Sequence, residues 1–324
     1  MTAANPDLDP RLRPLYVAML RLRLIEEAIA ERYAGQDMRC PVHLSVGQEA
    51  AAVGACAPLR PDDRILSTHR CHGHYLAKGG DLTAMLGEIH GRASGCCGGR
   101  GGSMHLFDDD AGVMASVPIV GSSIPLAVGA ALAFKQAGDD RVAVAFLGDG
   151  SLEEGVAHES LNLAAVQGLP VIFFVENNLY SVYTPLAQRQ PDRPLTAIGA
   201  AHGLPTAQVD GNAVLAVADA METAVDRARR GKGPTMIVAD TYRWREHCGP
   251  NYDNDLGYRT EAEFLSWRDR CPVETTAQTL HAAGQLDDDA ILRLTIREEI
   301  DAAFTAALAA PLPDPATAGA HVHA

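Results

Sequence analysis

The sequence predicts an α/β protein in which a mostly parallel central sheet is flanked by helices. Two short apolar runs, over residues 141–147 and 169–175, lie on either side of a segment with helical periodicity. A strand, a helix and a strand in that order form a βαβ unit, which is parallel and right-handed by default. Both runs are apolar almost throughout, as expected for strands that are covered on both faces. A further helix over 212–230 and a strand over 235–239 repeat the pattern.

Helical spacing and turn residues predict the remaining elements. Residues 1–14 are polar and proline-rich and are expected to form an arm. Glycine-rich residues 95–102 are expected to be a loop that turns sharply or approaches another group closely. Asp81 is placed to cap the helix that follows it. We expect further helices over residues 15–33, 47–56, 81–90, 151–167, 261–270 and 287–309.

No clear linker divides the chain, so one domain is expected over residues 1–324. Its parts would be an N-terminal arm and helix, an α/β core, C-terminal helices and a loose tail. These parts are expected over 1–40, 41–270, 271–310 and 311–324, respectively.

Composition and charge exclude several classes of protein. Of the 324 residues, 47% are apolar and 21% are charged, which is enough for a packed core. The net charge of −14 disfavours binding to nucleic acid or to an anionic membrane surface. The apolar runs are too short to span a membrane, and the first residues do not resemble a secretory signal. Seven cysteines without a CxxC spacing indicate a reducing compartment, so we expect a cytoplasmic protein.

Polar residues follow both central strands at the point where each is expected to end. Gly148, Asp149 and Gly150 follow the first strand, and Asn178 follows the second. The carboxyl ends of parallel strands meet at one edge of a sheet, where α/β proteins bind ligands. Carboxylate and amide oxygens suit Mg²⁺ or Ca²⁺, and the glycines leave room for a bulky anion. A helix beginning near Ser151 would direct N–H groups at that anion, so the residues predict a metal and diphosphate site.

This pattern resembles the thiamine diphosphate signature, and the chain resembles the alpha chains of 2-oxo acid dehydrogenases of the pyruvate, branched-chain and acetoin types. The resemblance covers about residues 15–309 and implies the thiamine diphosphate-binding fold. Matching stretches occur in the family's order and spacing: PVHLSVGQEA at 41–50, DRILSTHRCHG at 63–73, GGRGGSMHLF at 98–107, PIVGSSIPLAVGAALA at 118–133 and GPTMIVADTYRW at 233–244.

The resemblance also implies roles for individual residues. The Mg²⁺ ligands would be Asp149, Asn178 and the backbone carbonyl of Tyr180. Two histidines, His43 and His247, would line the active site as catalytic residues, since imidazole transfers protons near neutral pH. The cofactor, thiamine diphosphate, would be bound by His69, Arg70, Val120, Gly148, Asp149, Gly150, Ser151, Asn178, Tyr180 and His247.

The function that the resemblance implies is decarboxylation of a 2-oxo acid, with pyruvate as the first candidate, and transfer of the acyl group to a lipoyl acyltransferase. In the family the activating glutamate comes from a beta subunit, so an α₂β₂ heterotetramer is expected. Pro118 replaces the family's usual glycine, and residues 245–248 depart from its usual histidine element. These departures leave acetoin cleavage or acyl-transferring carboligation as the alternative. A non-catalytic, partner-binding subunit is the third interpretation.

Overall fold

A computed structural model describes residues 8–38 and 40–320 and contains a six-stranded, fully parallel sheet. Its strands are β1 (Arg64–Ser67), β2 (Val113–Ser116), β3 (Ala143–Gly148), β4 (Val171–Asn177), β7 (Thr206–Asp210) and β8 (Thr235–Asp240), and a small antiparallel pair is formed by β5 (Tyr180–Ser181) and β6 (Thr184–Pro185). The spatial order is β2-β1-β3-β4-β8-β7. The predicted α/β class, with a mostly parallel sheet flanked by helices, is therefore confirmed.

Helices cover both faces of this sheet. They are α1 (Leu12–Arg32), α2 (Glu49–Cys56), α3 (His72–Ala77), α4 (Leu82–Ile89), α5 (Ser123–Ala137), α6 (Gly155–Gln167), α7 (Leu186–Arg189), α8 (Thr196–Ala201), α9 (Val214–Arg229), α10 (Glu261–Arg268), α11 (Pro272–Ala282) and α12 (Asp289–Ala309). Val144 and Phe146 of β3 pack in one apolar cluster with α1, α2 and α9, whereas Ala145 and Leu147 pack in a second with α5 and α6. Within the described ranges, no helix is long and apolar enough to cross a membrane.

The order of the strands creates a crevice at one edge of the sheet. From β1 the chain moves outward to β2, and from β3 it moves outward in the opposite direction to β4. The connections therefore diverge between β1 and β3, and ligands of open α/β sheets bind at such a switch point, outside the carboxyl ends of the strands.

Two predicted element boundaries are wrong for local reasons. Helix α1 begins at Leu12, inside the expected arm, because a proline such as Pro14 is tolerated in a first helical turn. The first seven residues of that arm lie outside the described residues. Helix α6 begins at Gly155 rather than 151, because Glu154 is extended, with φ −79° and ψ 136°. A 3₁₀ turn over Asp149–Glu153 takes the place of its expected first turn.

The C-terminal tail is only partly as expected. Residues 315–317 form a 3₁₀ turn instead of a loose segment. The guanidinium of Arg100 donates to the carbonyl oxygens of Thr317 at 2.8 Å and Ala320 at 3.2 Å. The tail is therefore attached to the glycine-rich loop up to the last described residue. The prediction that Asp81 caps the following helix is confirmed, since its carboxylate accepts the backbone N–H of Ala84 at 2.6 Å.

The glycine-rich segment 95–102 is a loop built around the buried carboxylate of Glu88. That carboxylate accepts the backbone N–H groups of Cys97, Gly99 and Gly101 at 2.7, 2.9 and 2.5 Å. Gly99 has a φ of +75°, and a Cβ there would lie 2.6 Å from a backbone carbonyl oxygen. The sharp turn and close approach expected from the sequence are therefore confirmed.

Candidate active site

The segments that follow β1, β2, β3 and β4 surround one cavity of about 210 Å³ at the carboxyl edge of the sheet. Every residue predicted for the site lines it: His43, His69, Arg70, Val120, Gly148, Asp149, Gly150, Ser151, Asn178, Tyr180 and His247. Residues from positions 43 to 247 of the chain are thus brought to one place. Their proximity is an observation, whereas their individual roles remain predictions.

Asp149 projects from the turn after β3 and is 1% exposed. Gly148 pairs with Glu176 in the parallel ladder, so the chain leaves β3 and β4 side by side. Burial raises the pKa of the Asp149 carboxyl, and the ion pair with Arg189 opposes that effect. A buried carboxylate at this edge is a suitable ligand for a hard cation.

The segment after β4 holds its polar groups through an unusual backbone. Leu179 and Val182 have φ values of +71° and +55°, which are uncommon for residues with a branched side chain. Between them, the Tyr180 hydroxyl donates to the Glu263 carboxylate at 2.8 Å, and the Tyr180 N–H donates to Oδ1 of Asn178 at 3.3 Å. The donor set of carboxylate, amide oxygen and backbone carbonyl consists only of hard oxygens, which fits Mg²⁺.

Arg70 is a buried cation without an ion-pair partner among the described residues. It is 4% exposed, and its guanidinium donates to the carbonyl oxygens of Leu44 at 2.5 Å and His247 at 3.3 Å. Burial, together with the nearby charge of Arg243, lowers the pKa of Arg70 to about 10. A desolvated guanidinium without a counter-ion is costly, so the cavity is electrostatically suited to an anion.

Three histidines from distant parts of the chain meet at the cavity. The ring centroids of His43, His69 and His247 lie 4.7, 5.1 and 5.3 Å apart, and the rings are mutually edge-on. Burial is the main reason that their pKa values fall to about 2, 3 and 4, and the charge of Arg70 adds to it. The three rings are therefore neutral near pH 7.

The nitrogens of these rings lack the partners that the buried ring of His72 has. In the part of the chain that the structure describes, no ring nitrogen of the three makes a hydrogen bond, and Nδ1 of His43 is buried without a partner. By contrast, His72 contacts Ser103 Oγ at 2.8 Å and Glu26 at 3.2 Å. Unpartnered polar atoms in a cavity indicate that a ligand supplies their partners.

Backbone contacts hold two of these histidines in place. His43 forms an isolated parallel bridge with Gly249, whose N–H donates to the carbonyl oxygen of Val42 at 2.8 Å. The backbone N–H of Trp244 likewise donates to the carbonyl oxygen of Val46 at 2.9 Å. The segments 42–46 and 244–249 therefore form one unit, and the separation of His43 and His247 is fixed by main-chain contacts.

The segment after β2 forms the apolar side of the cavity. Ile119 is 71% exposed and Val120 is 47% exposed, so both side chains are accessible to a ligand or a partner at the cavity. Pro118 costs the sheet no hydrogen bond, because the last bond of the ladder is donated by Val117 to Ser67 at 3.1 Å. The replacement of the family's usual glycine by Pro118 is thus compatible with the strand.

Three neighbouring residues were missed by the sequence reasoning. Glu176 and Arg243 also line the cavity, and Arg189 contacts Asp149 from behind. The position of Glu176 at a strand end, directly before the asparagine pair, was a usable signal. No local signal marked Arg189, because its contact depends on how the loop after β4 folds back.

Glu49 does not line the cavity. Its carboxylate is buried and accepts from Nε and Nη2 of Arg23 at 2.5 and 2.8 Å, and from the Gly47 N–H at 3.0 Å. This carboxylate therefore has a structural role within the chain.

Comparisons with known proteins agree with this geometry. Residues 17–316 match the family described as dehydrogenase E1 component. The alpha subunit of acetoin:2,6-dichlorophenolindophenol oxidoreductase from Bacillus subtilis is 46% identical over 71% of this chain and 69% of its own length. The pyruvate dehydrogenase E1 component subunit alpha of Zymomonas mobilis is 37% identical over 95% and 90%, respectively. A second acetoin:2,6-dichlorophenolindophenol oxidoreductase alpha subunit, from Cupriavidus necator, is 39% identical over 89% and 79%. The chain therefore belongs to the dehydrogenase E1 component family.

Proposed function

We propose that the chain is the alpha subunit of a thiamine diphosphate-dependent 2-oxo acid dehydrogenase, with pyruvate as the first candidate substrate. The observation that carries the proposal is the unpaired, buried Arg70 in the same cavity as the oxygen donors Asp149, Asn178 and Tyr180. A cation and a diphosphate together would satisfy both groups, since Mg²⁺ shares its coordination between carboxylates and phosphates.

In this proposal Asp149, Asn178 and the Tyr180 carbonyl hold Mg²⁺, and Arg70 binds diphosphate oxygens. Arginine suits this task because its guanidinium stays charged and donates in pairs to phosphate. Gly148 supports the same assignment, because among the described residues no atom beyond its two chain neighbours lies within 4 Å of where its Cβ would stand, which leaves space for the anion. Gly150, Ser151 and His69 complete the binding surface on this side.

Bound thiamine diphosphate supplies the carbon nucleophile and the electron sink for decarboxylation. The residues of this chain position the reacting groups and move protons. His43 and His247 are neutral near pH 7, so each can accept a hydrogen bond at one ring nitrogen and donate one from the other. Val120 and Ile119 supply an apolar contact that excludes water from the cofactor ring.

The proposal includes a beta subunit, in an α₂β₂ heterotetramer, that supplies the activating glutamate. Glu49 is fully engaged by Arg23, and the acidic residues found on the described cavity wall are Asp149 and Glu176. Glu176 lies beside His74, with Nε2 and Oε2 3.4 Å apart. The exposed side chains of Ile119 and Val120 at the rim are consistent with a covering partner. A lipoyl acyltransferase would accept the acyl group, and the cysteine composition supports a cytoplasmic setting.

Acetoin cleavage is the second candidate function. It is favoured by the acetoin:2,6-dichlorophenolindophenol oxidoreductase alpha subunits of Bacillus subtilis and Cupriavidus necator, which are 46% and 39% identical to this chain. Acetoin is uncharged and has no carboxylate to lose. The release of CO₂ therefore separates the two candidate reactions.

The test uses the chain co-purified with its beta subunit, with Mg²⁺, thiamine diphosphate and an artificial electron acceptor. Dye reduction with CO₂ release from a panel of 2-oxo acids would support the dehydrogenase and name its substrate. Dye reduction with acetoin alone would select the second candidate. Failure to bind thiamine diphosphate would reject both, and the Asp149→Ala complex serves as the inactive control.

A further inference from the structure

Arg189 lies where the two segments that carry the proposed metal ligands meet. Asp149 belongs to the turn after β3, whereas Asn178 and Tyr180 belong to the segment after β4. Arg189 ends the short helix α7 of that second segment and reaches back to the first. It is not among the residues that line the cavity, so it contacts Asp149 from outside the cavity.

Each side of the Arg189 guanidinium has its own partner. Nη2 pairs with Oδ2 of Asp149, Nη1 pairs with the Glu153 carboxylate, and Nε donates to the carbonyl oxygen of Thr184 at 3.0 Å. The side chains of Arg189 and Asp149 are only 9% and 2% exposed. The pair with Asp149 is therefore desolvated, unlike the exposed ion pairs that contribute little.

The packing around Gly150 makes this arrangement sensitive to small displacements. A Cβ at Gly150 would lie 3.0 Å from Oγ of Ser181 and 3.5 Å from Nη1 of Arg189. The turn after β3 and the segment after β4 are thus in direct contact at the residue that follows Asp149. A loss of the arginine would let the two segments separate, and the ligands would separate with them.

We propose that Arg189 is a positioning residue for the divalent cation. It joins the two segments that carry the proposed ligands and holds Asp149 by one carboxylate oxygen. The inference rests on the proposed function. A carboxylate held at Oδ2 has its rotation restricted and still has Oδ1 to offer to a cation. Groups that hydrogen-bond to a metal ligand in this way typically contribute about 10- to 100-fold to metal affinity.

The test compares Arg189→Gln with Arg193→Gln in the complex with the beta subunit. Arg193 is an exposed arginine four positions further along the chain, and its guanidinium contacts Gln190 at 3.1 Å. Binding of thiamine diphosphate is followed by calorimetry at increasing Mg²⁺. For Arg189→Gln we expect the Mg²⁺ needed for half-maximal binding to rise about 10- to 100-fold, and saturating Mg²⁺ to restore binding to within about threefold. For Arg193→Gln we expect a change below about twofold.

Two further variants separate positioning from folding. Arg189→Lys keeps the charge but can engage only one carboxylate well, so it should recover part of the Mg²⁺ affinity. Glu153→Gln weakens the second anchor without touching Asp149, and a smaller rise, about 3- to 10-fold, is expected. Electron paramagnetic resonance of bound Mn²⁺ should report a changed ligand environment in Arg189→Gln and an unchanged one in Arg193→Gln.

Three results would overturn the inference. Unchanged Mg²⁺ dependence would show that the arginine does not act on the cation. Tighter metal binding would show that it competes with the cation for Asp149. A loss of cofactor binding in Arg189→Gln, Arg189→Lys and Glu153→Gln that no Mg²⁺ concentration restores would show a purely structural role. Failure of the unmodified complex to bind thiamine diphosphate with Mg²⁺ would instead overturn the proposed function, and this inference with it.

Discussion

Two walls of the cavity are built in opposite ways. The metal wall, formed by Asp149, Asn178 and Tyr180, is held by partners within the chain, including Arg189 and Glu263. The histidine wall is formed by Arg70 and the neutral imidazoles of His43, His69 and His247. Among the described residues, the Arg70 guanidinium has no ion-pair partner and the nitrogens of the three rings have no hydrogen bonds.

The difference shows which interactions are prepared before a ligand arrives. A prepared wall costs little reorganisation on binding, because its groups are already oriented. An unpartnered wall stores a desolvation cost that a ligand can relieve, and it therefore depends more on what enters the cavity. Substitutions in the metal wall should abolish cofactor binding. Substitutions in the histidine wall should lower the stability of the cofactor-bound complex without lowering that of the cofactor-free complex.

The largest effect is expected for Asp149→Ala. Removal of the only carboxylate among the proposed ligands should abolish Mg²⁺-dependent binding of thiamine diphosphate, a loss of about 100-fold or more. Calorimetry on the complex with the beta subunit measures the affinity. Asp192→Ala, which removes an exposed carboxylate in the loop after α7, is the matched control and should bind normally. Unchanged affinity in Asp149→Ala would refute the assignment of the metal wall.

A smaller loss, about 10- to 100-fold in cofactor affinity, is expected for Arg70→Gln, because charge-assisted hydrogen bonds contribute about 1.5–3 kcal/mol. Among the described residues Arg70 has no ion-pair partner, and its guanidinium donates to the backbone carbonyl oxygens of Leu44 and His247. The substitution should therefore leave the thermal midpoint of the cofactor-free complex unchanged or raise it, while lowering the midpoint with cofactor. A lower midpoint without cofactor would mean that the chain already compensates the charge, and the contrast between the walls would fail.

The smallest expected effect is a pH dependence of the free energy of unfolding that arises from His247 in the histidine wall. The pKa of His247 in the fold is about 4, against about 6.5 in an unfolded chain. Its neutral form therefore contributes fully above pH 6.5, and the contribution is lost as the pH falls towards 4. At pH 5.5 the loss is about 1 kcal/mol, and Arg70 and Arg243 are the charges that oppose protonation.

Urea unfolding of the cofactor-free complex at pH 7.5 and 5.5 measures this effect. His247→Asn should lose less stability than the unmodified protein over that interval. His281→Asn, at an exposed position on α11, should follow the unmodified protein. Parallel losses in all three proteins would show that the ring is solvated and titrates normally.

The metal wall was easier to predict from sequence than its supports. Asp149 and Asn178 follow two apolar strands, and strand ends of a βαβ unit converge by a general rule. The histidine wall was predicted only through the resemblance, since nothing local connects His43 with His247. Arg189 could not be predicted in either way, because its contact with Asp149 depends on the course of the loop after β4.

The fold shows the same division. Strands β3 and β4 were predicted because strands that are buried on both faces are apolar almost throughout. Strands β1 and β2 have four residues each, too few for a period-two pattern to be distinguished from a loop. The late start of α6 was missed because Glu154 leaves the helical conformation in a segment whose residue spacing is helical.

The bridge between His43 and Gly249 also has a consequence for synthesis of the chain. The two residues are 249 − 43 = 206 positions apart, so at about 5–20 residues per second the ribosome adds the second about 10–40 s after the first. The cavity is therefore completed late in translation. Until then the segment around His43 lacks the backbone partner that fixes its distance from His247.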